Sequence, residues 1–288
     1  MPDRDFARLL RKRWEQGLFT CVGLDIDVNK IPEHLHVRNR KGELKVYQTT
    51  LLFVRAIVEA TRDHVCAYKP NFCFNENTGA VGMATLQAVV RLIHKMAPSV
   101  PVIVDRKAND IGNTNLGTVQ GLFGYLGADA TTLSPYMGGE SLAPFLECSH
   151  KGMFVLCRTS NPGAGEFQDL IVEEHDAPLY AVVAENVSRI WNSTSGNCGL
   201  VVGATAPEQF TVVRQRAPKL PILIPGIGAQ GGDLAASVAK GQTSEGDGII
   251  INASRSVVYA SAGTNFAEAA LAEMLRMNAT IEAHRLRT

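Results

Sequence analysis

Eight short apolar segments recur along the chain, and each is followed by a turn or by a segment with helical periodicity. They lie at residues 18–25, 64–71, 101–107, 129–135, 152–160, 199–205, 221–228 and 246–254. Continuous apolar strands that alternate with helices are typical of a parallel sheet whose outer face is covered by the helices. Eight such units in about 250 residues predict one closed (β/α)8 barrel rather than an open sheet.

Segments with helical periodicity separate most of these strands, at residues 47–63, 78–97, 114–127 and 207–217. A starting helix is predicted at residues 4–16, where Gly17 ends it. A final helix is predicted from about residue 265, because Asn265 and Glu268 have the spacing of a capping box. No interdomain linker interrupts the chain, so we expect residues 1–288 to form a single barrel domain with an N-terminal and a C-terminal helix.

Two stretches are longer than a minimal barrel needs. Residues 29–46 form a polar connection, and residues 160–197 must contain both a loop and a helix. Long loops in compact domains are usually either functional or disordered. The sequence alone leaves the role of both stretches open.

The charge and cysteine patterns exclude several classes of protein. Lys plus Arg and Asp plus Glu both total 28, and there is no basic tract, so nucleic acid is not an expected partner. The six cysteines form no CxxC pair and no zinc-ligand spacing, and we expect them to be reduced residues of the core. Neither a signal peptide nor a membrane-spanning apolar run is present, which predicts a cytoplasmic protein.

Polar and charged residues are concentrated where the predicted strands end. They are Asp25, Lys69, Asn71, Asp105, Lys107, Ser160, Gln230 and Arg255. In barrels of this kind the active site lies at the C-terminal ends of the strands. Because side chains alternate along a strand, Asp105 and Lys107 point to the same side, and so do Lys69 and Asn71 on the neighbouring strand. We therefore expect opposite charges to meet at one rim, with Asp110 extending from the next loop toward a neighbouring subunit.

An Asp and a Lys at a strand end often form only a solvated ion pair of little energetic value. Four charges from adjacent strand ends on one rim favour a functional site instead. Nearby carboxylates favour the ammonium form of Lys107. An ammonium suits a proton donor or an electrostatic clamp, and not a Schiff-base amine.

The glycine-rich stretch PGIGAQGGD contains GxGxxG at Gly226, Gly228 and Gly231, with Asp247 further on, which is the pattern of a dinucleotide-binding unit. Only one predicted strand follows it, which leaves no room for a nucleotide-binding half. The glycines instead indicate a loop whose backbone N–H groups, with a helix N-terminus, bind one phosphate, with Arg255 as its charged partner. A plain glycine-rich turn is the alternative.

Six motifs occur in the order of a known family. The stretch DRKANDIGNTN resembles the Asp-x-Lys-x-x-Asp signature of the orotidine 5′-monophosphate decarboxylase family. The stretches GLDID, AYKPNFCFNE, TSNPGA, GIGAQGGD and INASRS resemble its other motifs, and the resemblance covers residues 20–256. The chain is most similar to the longer bacterial and protozoal branch, because Asn71 follows Lys69 by two positions. Arg106 and Asn109 are departures inside the signature.

The resemblance implies a homodimer that converts orotidine 5′-monophosphate to uridine 5′-monophosphate and carbon dioxide, in the last step of de novo pyrimidine nucleotide synthesis, without metal or organic cofactor. In this assignment Lys107 protonates C6 of the pyrimidine, and Asp110 and Thr114 reach the site of the partner subunit. By position, the resemblance assigns the catalytic charged array to Lys69, Asp105, Lys107 and Asp110, the ribose to Asp25, Lys69 and Thr114 with Asn71 beside them, the pyrimidine to Ser160, and the phosphate to Gln230, Arg255, Gly228 and Gly231.

Three other functions are open at this stage. Related barrels use the same signature with magnesium to process sugar phosphates; the resemblance implies that they carry a metal-binding acid where this chain has Lys69, whose ammonium would repel a divalent ion. A nicotinamide-dependent oxidoreductase built on residues 221–250 would bind that cofactor. A noncatalytic nucleotide-binding barrel would bind its ligand tightly without turnover.

Overall fold

The computed structural model describes residues 4–228 and 231–286 and contains a sheet of eight parallel strands. Two further strands, β6 and β7, form a separate antiparallel hairpin. In chain order the strands are β1 (Thr20–Leu24), β2 (Ala67–Pro70), β3 (Ile103–Ala108), β4 (Ala130–Leu133), β5 (Gly152–Arg158), β6 (Ile171–Val172), β7 (Ala177–Pro178), β8 (Cys198–Val202), β9 (Ile222–Ile224) and β10 (Ile249–Ala253). The eight predicted strands all form, each within a few residues of its predicted position.

The eight-stranded sheet closes on itself. Its strand order is β2–β1–β10–β9–β8–β5–β4–β3. The outer strands β2 and β3 meet through two isolated parallel bridges, between Tyr68 and Val102 and between Asn71 and Asp105. The prediction of a (β/α)8 barrel is therefore confirmed.

Helices cover the outside of the barrel, and the helices predicted from periodicity are confirmed. They are α1 (Phe6–Glu15), α2 (Val46–Thr61), α3 (Phe72–Glu76), α4 (Gly79–Met96), α5 (Gly112–Val119), α6 (Gly138–Leu146), α7 (Gly165–Gln168), α8 (Leu179–Asn186), α9 (Asn192–Ser195), α10 (Glu208–Arg216), α11 (Leu234–Gly241), α12 (Arg255–Val258) and α13 (Phe266–His284). π-Helical turns at Gln120–Tyr125 and Val187–Trp191 extend α5 and α8. None of the helices in the described residues is long and apolar enough to cross a membrane.

Two details of the sequence-based predictions are wrong. Helix α13 begins at the predicted place, but the Asn265 side chain does not cap it, because its Oδ1 accepts a hydrogen bond from Ser261 Oγ at 2.8 Å instead. All six cysteines are free thiols, as expected, yet Cys73, in α3, is exposed, and Cys148, after α6, is only half-buried, so these two are not core residues.

Helix α1 closes the N-terminal end of the barrel. Its residues Phe6 and Leu10 belong to the buried cluster inside the barrel, together with strand residues such as Ile103 and Phe154. Arg13 secures the same helix, because its Nε donates to the carbonyl of Val65 at 2.8 Å. The opposite end, where the strands finish, is left for a ligand.

The two long stretches also acquire structure. Residues 29–46 contain a 3-10 turn at Glu33–Leu35 and a bridge between Arg38 and Leu44. Residues 160–197 contain the β6–β7 hairpin and the helices α7, α8 and α9. The second stretch therefore contains more secondary structure than the one loop and one helix predicted for it.

Candidate active site

Three of the predicted charged residues meet at the C-terminal rim of the barrel. Lys69 of β2 donates from Nζ to Asp105 Oδ2 at 2.8 Å, and Lys107 of β3 donates from Nζ to Asp105 Oδ1 at 2.6 Å. The side chain of Lys69 is only 4% exposed and that of Lys107 is 50% exposed. The buried ammonium thus holds the carboxylate, while the second ammonium faces the open end of the barrel.

Thr132, on the neighbouring strand β4, supports this cluster. Its hydroxyl donates to Asp105 Oδ1 at 2.8 Å and accepts from the backbone N–H groups of Lys107 at 2.9 Å and Arg106 at 3.1 Å. Lys107 has a φ of +54°, in the left-handed region that non-glycine residues rarely adopt. Such backbone strain persists only where the surroundings hold it, and it is concentrated at functional sites. Sequence reasoning did not identify Thr132.

The pKa shifts of Lys69 and Asp105 are mutually consistent. Burial alone would lower the pKa of Lys69, but the carboxylates of Asp105 and Asp25 outweigh it and raise that pKa above its ordinary value. Burial alone would raise the pKa of Asp105, but Lys69 and Lys107 outweigh it and hold that pKa well below its ordinary value. Lys69 and Asp105 are therefore both charged at neutral pH.

Asp25 and Asn71 lie at the ends of neighbouring strands, but they differ in what they can offer a ligand. The Oδ1 atom of Asp25 is buried and has no hydrogen-bond partner within the described residues. Asn71 is bridged to Asp105 through the backbone, and its Oδ1 accepts from the backbone N–H of Cys73 at 3.0 Å as the cap of α3. Asp25 thus has an unused acceptor, whereas the Asn71 carbonyl is already engaged.

Asp110 and Thr114 do not join the cluster within one chain. Both are exposed, and Asp110 Oδ1 accepts from the backbone N–H of Ile111 at 2.7 Å rather than contacting Lys107. Thr114 lies on α5, which follows the same loop. A single chain therefore assembles three members of the predicted four-charge array.

Three of the described glycines of the loop after β9 adopt the left-handed backbone region. Gly226, Gly228 and Gly231 have φ values of +99°, +77° and +76°, and the N–H of Gly231 donates to the carbonyl of Gly228 at 2.9 Å. A Cβ on Gly228 would lie 2.9 Å from Ser256 Oγ, so the loop packs against α12, whose first residue is the exposed Arg255. The predicted neighbours Gly228 and Arg255 are therefore brought together.

The helix that follows the predicted phosphate loop has a side chain of its own at its N-terminus, and the phosphate role of that N-terminus stays a prediction. The N-terminus of α11, which follows the loop, is closed by the Asp233 side chain, which accepts from the N–H of Ala236 at 3.0 Å. A carboxylate at that position repels a phosphate and uses the N–H group that would bind it. The first turn at Arg255 is the accessible alternative, and Gln230, also predicted here, lies outside the described residues.

Ser160 follows β5 and is half-buried. A Cβ on Gly203 would lie 2.6 Å from the Ser160 Cβ, so the absence of a side chain at Gly203 makes room for Ser160 at the rim. Ser160 is thus placed on the same end of the barrel as the charged cluster.

The arrangement offers fixed charge rather than a metal or a thiolate nucleophile. Within residues 4–228 and 231–286, no group of three or more His, Cys, Asp or Glu side chains could hold a metal ion. Cys21, the thiol nearest the cluster along β1, is fully buried, and burial raises its pKa to about 12. What the rim presents to a ligand is an ammonium in a fixed position, which can stabilise developing negative charge or deliver a proton.

Comparison with known proteins identifies close relatives. Residues 21–270 match the model of the Orotidine 5′-phosphate decarboxylase / HUMPS family. Over 277 residues the chain is 48% identical to an orotidine 5′-phosphate decarboxylase of Thermomicrobium roseum, covering 94% of each chain. The structure of Leishmania donovani OMP decarboxylase is 36% identical, with a TM-score of 0.80, over 96% of this chain and 99% of that one. Leishmania donovani UMP synthase is 38% identical, with a TM-score of 0.83, over 97% of this chain but 57% of that longer one.

Proposed function

The chain belongs to the orotidine 5′-phosphate decarboxylase family, and on that premise we propose how its barrel rim performs the reaction. The enzyme is a carboxy-lyase that converts orotidine 5′-monophosphate to uridine 5′-monophosphate in pyrimidine biosynthesis. In our proposal Lys107 donates the proton, Lys69 and Asp105 hold Lys107 in place, and no metal or organic cofactor takes part.

The proposed chemistry follows from where charge develops. Loss of carbon dioxide breaks the bond from C6 to the carboxylate carbon and leaves the electron pair on C6, in a σ orbital that no carbonyl can delocalise. A fixed ammonium beside C6 stabilises that charge as it forms. The Nζ of Lys107 then gives its proton to C6, and the resulting amine regains a proton from water. The observation that carries this proposal is the fixed position of Lys107 Nζ, 2.6 Å from Asp105.

The charge balance of the cluster supports the same role. Lys69 and Lys107 place two ammonium groups around the carboxylate of Asp105, and the carboxylate of Asp25 also acts on Lys69. Lys69 is buried whereas Lys107 is open to the rim, so Lys107 is the ammonium that the substrate carboxylate meets first. A divalent cation is disfavoured by the same two ammonium groups.

The parts of the substrate that are remote from C6 supply the remaining stabilisation of the transition state. Enzymes lower barriers by about 8 to 23 kcal/mol, and this unassisted reaction needs the upper end of that range, which one ion pair cannot supply. Binding energy from the phosphate must therefore help to exclude water and fix the substrate. We assign the groups to Arg255, Gln230, Gly228 and Gly231 for the phosphate, to Asp25, Lys69 and Thr114 with Asn71 for the ribose, and to Ser160 for the pyrimidine.

We further propose that the enzyme is a homodimer in which Asp110 and Thr114 complete the site of the partner subunit. Both side chains are exposed and separate from the cluster of their own chain. Large apolar side chains are exposed on the same segment and on the loop after β4: Ile111 is 54% exposed, Leu116 on α5 is 55% exposed, and Tyr136 is 88% exposed. Such a patch on a protein surface is typical of an interface.

The first experiment follows the absorbance change of orotidine 5′-monophosphate with chelator-treated protein and no added cofactor. Wild type should turn over the substrate. Lys107→Ala should lose at least about 10³-fold in kcat, because general acid catalysis and electrostatic stabilisation each contribute roughly 10²-fold or more. Its affinity for uridine 5′-monophosphate, measured by calorimetry, should remain close to that of wild type.

Lys219→Ala is the matched control, because Lys219 is an exposed lysine just before β9, at the opposite end of the barrel. It should turn over the substrate like wild type. Normal turnover by Lys107→Ala would refute the proton-donor role. Loss of wild-type activity on chelation, restored by magnesium, would refute the metal-independent mechanism.

A further inference from the structure

The loop that carries Asp110 is held in place by one buried side chain of helix α5. Asn115, in α5, is fully buried. The two N–H bonds of its Nδ2 are shared among three acceptors, the carbonyl of Asp110 at 2.7 Å, Asn109 Oδ1 at 2.9 Å and the carbonyl of Ser141 at 2.6 Å. A single amide thus ties the loop to the start of its own helix and to α6.

Asn109 completes the support. Its Oδ1 also accepts from the backbone N–H of Asp110 at 2.9 Å, and its Nδ2 donates to the carbonyl of Ser134 at 2.8 Å and to Ser141 Oγ at 2.9 Å. The loop is therefore bonded to the end of β4 as well as to α6. Both backbone polar groups of Asp110 are occupied by these two asparagines.

The hydrogen bonds that hold the Asp110 loop do not bring Asp110 into the charged cluster of its own chain. Asp110 is exposed, its side chain accepts from the N–H of Ile111 rather than from Lys107, and yet its backbone is held by hydrogen bonds within its own chain. The Oδ1 atom of Asn115 is buried without a hydrogen-bond partner in the part of the chain that the structure describes. Buried polar groups are nearly always paired, so an unpaired one is unfavourable for stability. The favourable contribution of this asparagine is therefore the set of hydrogen bonds from its Nδ2 to the Asp110 loop and to α6.

We propose that Asn115, with Asn109, is a positioning residue for the active site of the partner subunit: it fixes the Asp110 loop so that the carboxylate enters the neighbouring site in one orientation. The inference rests on the shared site of the proposed function. It adds that a buried residue, remote from its own chain's cluster, acts on catalysis across the interface. Misplacement of a catalytic group by about 1 Å can cost 10²-fold in rate.

The test uses dimers of two differently tagged chains, one carrying Lys107→Ala and the other Asp110→Ala, purified over both tags. One of the two sites in such a dimer combines an intact Lys107 with an intact Asp110. The Lys107→Ala chain supplies the Asp110 loop of that site. Adding Asn115→Ala to this chain should lower the kcat of the mixed dimer at least tenfold, whereas adding it to the Asp110→Ala chain should leave kcat within twofold.

The placement of the same substitution on the other chain is the matched control. A purely structural role for Asn115 would lower activity equally from either chain, and that result overturns the inference. If neither placement changes kcat, the inference is also overturned. If the two parent chains restore no activity when combined, the shared site itself is refuted, and this outcome is distinct from the other two.

Asn109→Ala provides a second variant in case Asn115→Ala prevents folding, because Asn109 is only half-buried. It removes the bond to the Asp110 N–H and the bonds to β4 and α6. The same dependence on chain placement is expected. Thermal unfolding of each mixed dimer checks that both placements lower stability by the same amount, so that only the difference in kcat is assigned to positioning.

Discussion

Replacing Asp129 by asparagine is expected to destabilise the protein in weakly acidic and neutral solution, and this effect should shrink as the pH falls toward 2. Asp129 precedes β4 at the N-terminal end of the barrel, and its side chain is fully buried. Its carboxylate accepts from Arg4 Nε at 2.8 Å, from His94 Nε2 at 3.0 Å and from the N–H of Val102 at 2.9 Å. It thus joins the segment before α1 to α4 and β3.

The magnitude follows from the pKa of this group. Burial alone would raise the pKa of Asp129, but the hydrogen bonds from His94 and Arg4 outweigh it and lower the pKa from 3.8 to about 2. One pKa unit corresponds to about 1.4 kcal/mol, so the charged form contributes about 2 kcal/mol to the free energy of unfolding. Because the folded-state pKa is the lower one, this contribution is complete well above pH 3.8 and is lost as the pH falls through about 2.

Urea unfolding of wild type and Asp129→Asn, followed by circular dichroism between about pH 5 and pH 2, measures this effect. The difference in the free energy of unfolding should decrease by about 2 kcal/mol over that range. Asp63→Asn is the control, because Asp63 is 80% exposed and lies 3.9 Å from Arg62; its loss should change stability by less than about 1 kcal/mol at any pH. A difference for Asp129→Asn that does not vary with pH would refute the reasoning.

Three further predictions concern the rim. Arg255→Ala should weaken binding of uridine 5′-monophosphate at least about tenfold more than binding of uridine, measured by calorimetry, because only the nucleotide has the phosphate; equal losses would contradict phosphate recognition. Thr132→Val should lower kcat about tenfold with little change in KM, because it removes the hydroxyl that holds Asp105 and the Lys107 backbone; an unchanged kcat would show that the hydroxyl is dispensable. Gly228→Ala should lower the free energy of unfolding by about 1 kcal/mol or more, since Gly228 has a φ of +77° and an added Cβ would approach Ser256 Oγ to 2.9 Å. If the variant unfolded at the same temperature as wild type, the left-handed conformation of Gly228 would be contradicted.

The sequence predicted the barrel because strand and helix signals alternate in it without interruption. The same alternation brought Lys69, Asp105 and Lys107 together, since side chains two residues apart on a strand share a face and adjacent parallel strands end at the same rim. These inferences need only local periodicity and strand order. They do not depend on the exact first and last residue of each strand or helix.

What the sequence did not reveal depends on contacts between distant residues. Thr132 lies on the inner face of β4, but threonine is common in strands, so nothing in the local sequence distinguishes a hydroxyl that binds Asp105 from one that merely fits the sheet. The capping predicted for Asn265 does not form, and the N-terminus of α11, predicted to help bind a phosphate, already has a carboxylate as its cap, for a related reason. In each case the outcome was decided by competition between nearby side chains, Ser261 in the first and Asp233 in the second.

The closure of the barrel between β2 and β3 has a consequence for dynamics. This seam has two isolated bridges in place of a continuous ladder, and the ion pair between Lys69 and Asp105 crosses it. The cluster assigned to catalysis therefore also links the two strands whose backbone pairing consists of isolated bridges. In hydrogen–deuterium exchange, amides along this seam should become labelled sooner than those of the β5–β8 ladder, and a nucleotide that engages Lys69 should slow them selectively.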